Sequence, residues 1–177
     1  GTGGVANGHA LAHKRNSELV EIVALADIVP GKARDFAERH GLNSAKLCES
    51  YEEVMELSDV DAVDICTRWP VHAPVSLAAF ATGKHVLCEK PMAGSADEAK
   101  HMYEAAEKAG VVTLMDFTYR YYSAARFIKR LIDEGQFGKI IRVRTEYLFA
   151  GFRRRTKSPR REPEPNQPSS NIIGELG

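Results

Sequence analysis

The strongest constraint on how this chain folds is an alternation of short apolar runs with helical segments that carry their own start and stop signals. Apolar runs fall at residues 21–27, 46–48, 60–67, 85–88 and 111–117, and helical patterns at residues 6–17, 30–40, 51–57, 74–83 and 95–110. Near-continuous apolar strands are those buried on both faces, and strands that alternate with helices build a doubly wound parallel sheet. The helix ends are encoded locally. Ser50-Tyr51-Glu52-Glu53 and Ser95-Ala96-Asp97-Glu98 are capping boxes, Pro30 and Pro74 sit in first turns, and Gly41, Gly83 and Gly110 close helices.

Open sheets of this kind bind ligands at the carboxyl ends of their strands. The run His85-Val86-Leu87-Cys88 ends in Glu89-Lys90-Pro91, which places an acid and a base at that edge and makes Lys90 the first candidate for chemistry. Gly1-Thr2-Gly3-Gly4-Val5-Ala6 fits the G-x-G-x-x-G/A pattern, in which glycines allow a tight turn and close approach to a pyrophosphate at a helix N-terminus. Asp27 comes at about the 20-residue spacing from which a carboxylate accepts both hydroxyls of an adenosine ribose. Its other reading is a turn or helix-capping acid before Val29-Pro30. A carboxylate there favours NAD over NADP; Lys32 and Arg34 lie close enough to soften that preference, but their plainer reading is a solvated helix face.

Lysine plus arginine balance aspartate plus glutamate at 24 each, so no net field draws the protein to nucleic acid or membrane, and small molecules are the expected partners. Cys48, Cys66 and Cys88 are an odd number set in or beside apolar runs. They read as reduced core thiols, which points to the cytoplasm. No metal-ligand pattern is read.

Beyond Thr118 the texture changes. Residues 121–134 read as a helix with Phe127, Ile128, Leu131 and Ile132 on one face, and residues 140–149 alternate with period two. That alternation predicts a half-exposed strand of an antiparallel sheet in a second domain. Residues 152–170, rich in arginine and proline, read as an irregular solvated loop.

The glycine loop with His9, Asp27, the loop from Thr67 to His72, the block Gly83-Lys84-His85-Val86-Leu87-Cys88-Glu89-Lys90-Pro91 and Tyr119-Arg120-Tyr121 together resemble the Gfo/Idh/MocA oxidoreductases. The resemblance covers residues 1–149. It implies an α/β chain: a doubly wound parallel-sheet Rossmann domain at residues 1–118, then the start of an α+β domain with a mostly antiparallel sheet at residues 119–177. It also implies NAD(P)-dependent hydride transfer at a carbinol carbon of a sugar, inositol-like polyol or dihydrodiol, in a homo-dimer or homo-tetramer. The alternatives are an NAD-dependent glycoside hydrolase of the same family and a non-catalytic dinucleotide-binding sensor.

By the same resemblance Lys90 contacts substrate and nicotinamide ribose and is the catalytic candidate, with Glu89 orienting it. The implied cofactor-binding residues are Gly1, Thr2, Gly3, Gly4, Val5, Ala6, Asp27, Thr67, Arg68, Trp69, His72, Glu89 and Lys90, and Arg120 joins Lys90 on the substrate side. Arg68 and Trp69 replace the family's usual proline and asparagine, which reshapes the nicotinamide-side pocket, and His72 reads equally as a structural helix-entry residue. Ile173-Gly174-Glu175-Leu176-Gly177 resembles the start of the segment that carries the family's acid/base histidine. That histidine and a first, mid-sheet strand ahead of Gly1 are expected in a longer polypeptide.

Overall fold

The computed structural model describes residues 1–148, which fall into two compact units, one of them Gly1–Asp116. In this unit the element order is α1 (Ala6–Arg15), β1 (Ala24–Ala26), α2 (Lys32–His40), β2 (Lys46–Cys48), α3 (Tyr51–Met55), β3 (Ala62–Ile65), α4 (His72–Ala81), β4 (His85–Cys88), α5 (Ala96–Ala109) and β5 (Thr113–Met115). Strand and helix alternate as the sequence predicts.

The caps form as written. Ser50 Oγ accepts the Glu53 N–H at 3.3 Å and Ser95 Oγ accepts the Glu98 N–H at 3.2 Å. The acid of each box reaches one residue further back than in the reciprocal box: Glu53 accepts from the Glu49 N–H and Glu98 from the Gly94 N–H. Gly110, at φ 66°, turns the chain out of α5 in a left-handed conformation that a side chain would strain.

All strand pairs among the described residues are parallel. β1 pairs with β2, and β3, β4 and β5 pair in sequence order as a second sheet. No ladder joins β1 to β3 among the described residues. In a 3-2-1-4-5-6 order these two strands flank the position of the strand expected ahead of Gly1.

The second sheet is therefore parallel, and the expectation of a mostly antiparallel sheet is corrected. The alternating segment at residues 140–148 forms no strand and is exposed throughout; its last predicted residue, Phe149, and the loop at residues 152–170 lie outside the described residues. Period two marks two unlike faces, but a strand forms only when a neighbour takes its ladder hydrogen bonds, and no described segment does so. The second unit, from Phe117 onward, holds a 3-10 turn at Thr118–Tyr121 and the helix α6 (Ser123–Asp133). Tyr119 and Tyr147 meet through their hydroxyls at 3.0 Å.

The core of the first unit lies on both sides of the strands. Met55, Ile65, Ala79, Phe80, Val86, Cys88 and Met102 form one cluster among β3, β4, α4 and α5. Ala6, Ala10, Leu25, Phe36, Ala37 and Cys66 form another around α1, α2 and β1. Small residues at Ala6 and Ala10 let α1 approach closely. Among the described residues no helix is long and apolar enough to cross a membrane.

Lys84, within the Gly83-to-Pro91 block, is a structural residue. Its buried Nζ donates to the carbonyls of Leu57 at 2.7 Å and Val60 at 2.9 Å, tying the loop before β3 to the loop before β4. Lys84→Met keeps the bulk but orphans both carbonyls. It is expected to cost about 1–3 kcal/mol in urea unfolding while leaving dinucleotide affinity unchanged.

Candidate functional site

Parallel register brings the residues just beyond each strand into line. The ladder runs on past β4 and β5, with the Glu89 N–H donating to the Ile65 carbonyl at 3.0 Å and the Asp116 N–H to the Cys88 carbonyl at 2.8 Å. Cys66, Glu89 and Asp116 therefore stand side by side at the carboxyl edge. On the other sheet the Asp27 N–H donates to the Cys48 carbonyl at 3.3 Å.

The glycine loop is fastened to that edge by Asp27. The backbone N–H and the hydroxyl of Thr2 both donate to Asp27 Oδ2 at 2.8 Å, the Val29 N–H donates to Oδ1 at 3.0 Å, and Lys32 Nζ lies 3.3 Å from Oδ2. Burial pushes the carboxyl up, but the donors from Thr2, Val29 and Lys32 outweigh it and hold Asp27 at about 2. Asp27 braces its own turn through Val29 and fastens the glycine loop through Thr2. Lys32 pairs with it instead of being merely solvated.

Gly1 packs against the end of β3, where a Cβ would come within 3.1 Å of the Cys66 carbonyl and the Thr67 methyl. At Gly3 and Gly4 a Cβ would meet nothing within 4 Å. The fold itself makes no demand for glycine at these two positions, which leaves room for close approach by a ligand. α1 begins two residues later with no side-chain cap and no acid in its first turn, leaving its N-terminal dipole end open to a phosphate. Thr67 Oγ1 is buried with no hydrogen-bond partner. Open glycines, an uncapped helix start and an orphaned hydroxyl on one edge fit a dinucleotide.

The Thr67 loop and the Lys90 loop are linked twice. His72, 1% exposed, places Nδ1 2.7 Å from the Pro91 carbonyl and Nε2 3.1 Å from the Thr67 carbonyl. Trp69, the single tryptophan, lies against Gly94, where a Cβ would stand 2.5 Å from its ring carbon Cζ3. Lys90 is half-buried, precedes a cis peptide to Pro91, and donates its N–H to Glu89 Oε2 at 2.9 Å. Arg68 is exposed at the entry to the 3-10 turn Trp69–Val71, and Arg120 is exposed in the second unit.

Sequence reasoning overlooked the charged cluster behind Glu89. His9 on α1 contacts Asp64 of β3 through Nδ1 at 2.9 Å, and through Nε2 it contacts Glu89 at 3.4 Å and Asp116 at 3.2 Å. His13 adds Nε2 to Asp64 at 2.7 Å, and the Cys66 thiol donates to Asp64 at 3.5 Å. The hydrogen bond to Asp64, reinforced by Cys66, raises His9 to about 11. Burial pushes Asp64 up, but His9 and His13 outweigh it and hold it below the usual carboxylate range. Asp116 is pushed up by burial and by Glu89 and Asp64, against the pull of His9. Two signals were available: His9 and His13 share a helix face at i and i+4, and Asp64 interrupts an apolar run.

Fold and site together define a parallel α/β nucleotide-binding domain with a cofactor loop and an acid–base pair on one edge. Residues 1–117 match the model of an oxidoreductase family with an NAD-binding Rossmann fold, and the chain belongs to this Gfo/Idh/MocA family. It is 34% identical over 182 residues to glucose-6-phosphate 3-dehydrogenase of Bacillus subtilis, covering 100% of this chain and 49% of that protein. It is 34% identical over 124 residues to levoglucosan dehydrogenase of Pseudarthrobacter phenanthrenivorans, covering 70% of this chain and 31% of that protein. The WlbA dehydrogenase of Bordetella pertussis, solved with NADH and UDP-GlcNAcA, superposes with a TM-score of 0.72 at 26% identity over 79% of this chain and 42% of that one. The chain thus spans less than half the length of these relatives.

The geometry sets two expectations. The folded-state value of Asp27 lies below its unfolded value, so its contribution to stability is present above about pH 4 and is lost as pH falls through about 2. Asp27→Asn is expected to flatten the acid limb of a Tm-versus-pH profile over that window. Gly94→Ala forces the Trp69 ring to move, and is expected to shift tryptophan emission and cost about 1–3 kcal/mol in denaturant unfolding.

Proposed function

We propose that this chain is the dinucleotide-binding part of an NAD(P)-dependent oxidoreductase acting at a carbinol carbon of a sugar or polyol. The observation that carries the reading is the gathering of the open glycine loop, Thr67 and Glu89-Lys90 at the carboxyl ends of β3 and β4, with Asp27, beyond β1 of the other sheet, bonded to that loop through Thr2. The sugar-linked names of the relatives support the substrate class.

The nicotinamide cofactor, when bound, accepts or supplies the hydride. Gly1 to Ala6 and the start of α1 would hold its pyrophosphate, Asp27 its adenosine ribose, and the Thr67-to-His72 loop its nicotinamide side. NAD is the expected form. Lys32, already at Asp27, offsets the carboxylate charge that would repel a 2′-phosphate, so NADP is also accommodated. The Lys90 ammonium stabilises the alkoxide that develops on the substrate as hydride leaves, and Glu89 fixes the turn that presents it.

Reduced, buried thiols at Cys48, Cys66 and Cys88 support a cytoplasmic location, and the family resemblance supports a homo-dimer or homo-tetramer. In the complete enzyme, Lys90→Ala is expected to lower kcat for NAD-linked oxidation of sugars and polyols by about 100-fold or more, with NADH affinity by calorimetry changing only a few-fold. Full turnover in the variant makes Lys90 structural.

A further inference from the structure

His9 has no part in the reaction just described, yet it touches the residue that orients Lys90. Its ring lies at the centre of the sheet edge, with side-chain exposure of 11%. The groups facing it come from every neighbouring element: Asp64 from β3, Cys66 beyond β3, Glu89 beyond β4 and Asp116 beyond β5, with His13 of its own helix sharing Asp64. Carboxylates face both ring nitrogens. A neutral imidazole would turn a lone pair toward one of these anions, whereas an imidazolium donates from both sides.

We propose that His9 is a positioning residue for Lys90, an imidazolium that neutralises the Glu89–Asp116 pair and holds Glu89 where it accepts the Lys90 N–H. The inference rests on the oxidoreductase reading above. The link is one continuous chain of contacts: His9 Nε2 to Glu89 Oε1 at 3.4 Å, then Glu89 Oε2 to the Lys90 N–H at 2.9 Å. Without the cation, Glu89 and Asp116 face each other as like charges in a largely buried site, and such pairs retain one shared proton. A carboxyl that shares this proton is drawn toward Asp116 and away from the Lys90 turn. The same side chains are of metal-binding types, but a doubly protonated ring offers no lone pair, so a cation would first have to displace a proton held to about 11.

The test compares H9Q with wild type for kcat and NADH affinity across about pH 6–9.5. The ratio of variant to wild-type kcat is expected to be about 0.1 or lower near pH 6.5 and to climb at least about tenfold by pH 9, as the shared proton leaves the Glu89–Asp116 pair. NADH affinity stays within about threefold. A ratio flat in pH, or an equal loss in kcat and NADH binding, overturns the proposal. Should H9Q not fold, side-chain 1H–15N correlation of wild-type His9 decides it: both nitrogens protonated at pH 8 support the proposal and a neutral tautomer overturns it. A zinc-dependent change in wild-type activity that H9Q abolishes would assign the cluster to a metal and also overturn it. A complete wild-type enzyme that neither binds NADH nor turns over sinks the oxidoreductase reading as well, which a pH-flat ratio alone does not.

Discussion

The site depends on one charge placed among opposite charges. His9 joins α1, the helix that continues from the glycine loop, to acids from the ends of three strands. At the effective dielectric of a protein near its surface, two unit charges about 4 Å apart interact by about 4 kcal/mol. Desolvation offsets much of that gain, so the cluster contributes more to where its members sit than to net stability. Removing the central charge is costly in a different way, because it takes the His9 contact from three carboxylates, leaving His13 and the Cys66 thiol at Asp64 and the Lys90 N–H at Glu89. Both apolar packing at Ala6 and Ala10 and the ionic contacts of His9 and His13 hold α1 against the sheet.

A second fastening acts at the other end of the glycine loop, between Thr2 and Asp27. A carboxylate has about four acceptor positions, and here the Thr2 backbone, the Thr2 hydroxyl and the Val29 backbone take three while Lys32 stands at 3.3 Å. Asp27 therefore orders the loop before any ligand arrives, and a ribose hydroxyl would share an oxygen with a resident donor or displace Lys32. The loop is preorganised by Asp27. Ordering before binding removes part of the entropic cost that binding would otherwise carry.

Most of the first unit was legible because its signals are local. Buried parallel strands are short apolar runs, helix starts are Ser-x-x-Glu, and helix ends are glycines; each forms without knowledge of distant partners. Strand lengths were overestimated: residues 21–27 shrink to Ala24–Ala26, where β2 supplies the ladder. Residues 140–148 failed for the same reason in stronger form, since alternation states which side chains share a face and says nothing about a neighbour. Among the candidate site residues, Gly1, Asp27, Thr67, His72, Glu89 and Lys90 are proposed from their positions in motifs. The Thr2–Asp27 bond and the contacts of His9 with Asp64, Glu89 and Asp116 join residues 25 to 107 positions apart, and no window of sequence displays them. Lys84 carries the opposite lesson: it lies inside the most distinctive block of the chain and serves only to hold two loops.

One ring, His72, meets the carbonyls of Thr67 and Pro91 at once, and it is sealed from water. Thr67 belongs to the loop assigned to the nicotinamide, and Pro91 comes directly after Lys90. A displacement of either loop is therefore passed to the other through a single stiff plane of five atoms. The loop after β3 and the loop after β4 are therefore coupled, and a residue that reshapes the first, such as the tryptophan at position 69 packed on Gly94, bears on the second as well.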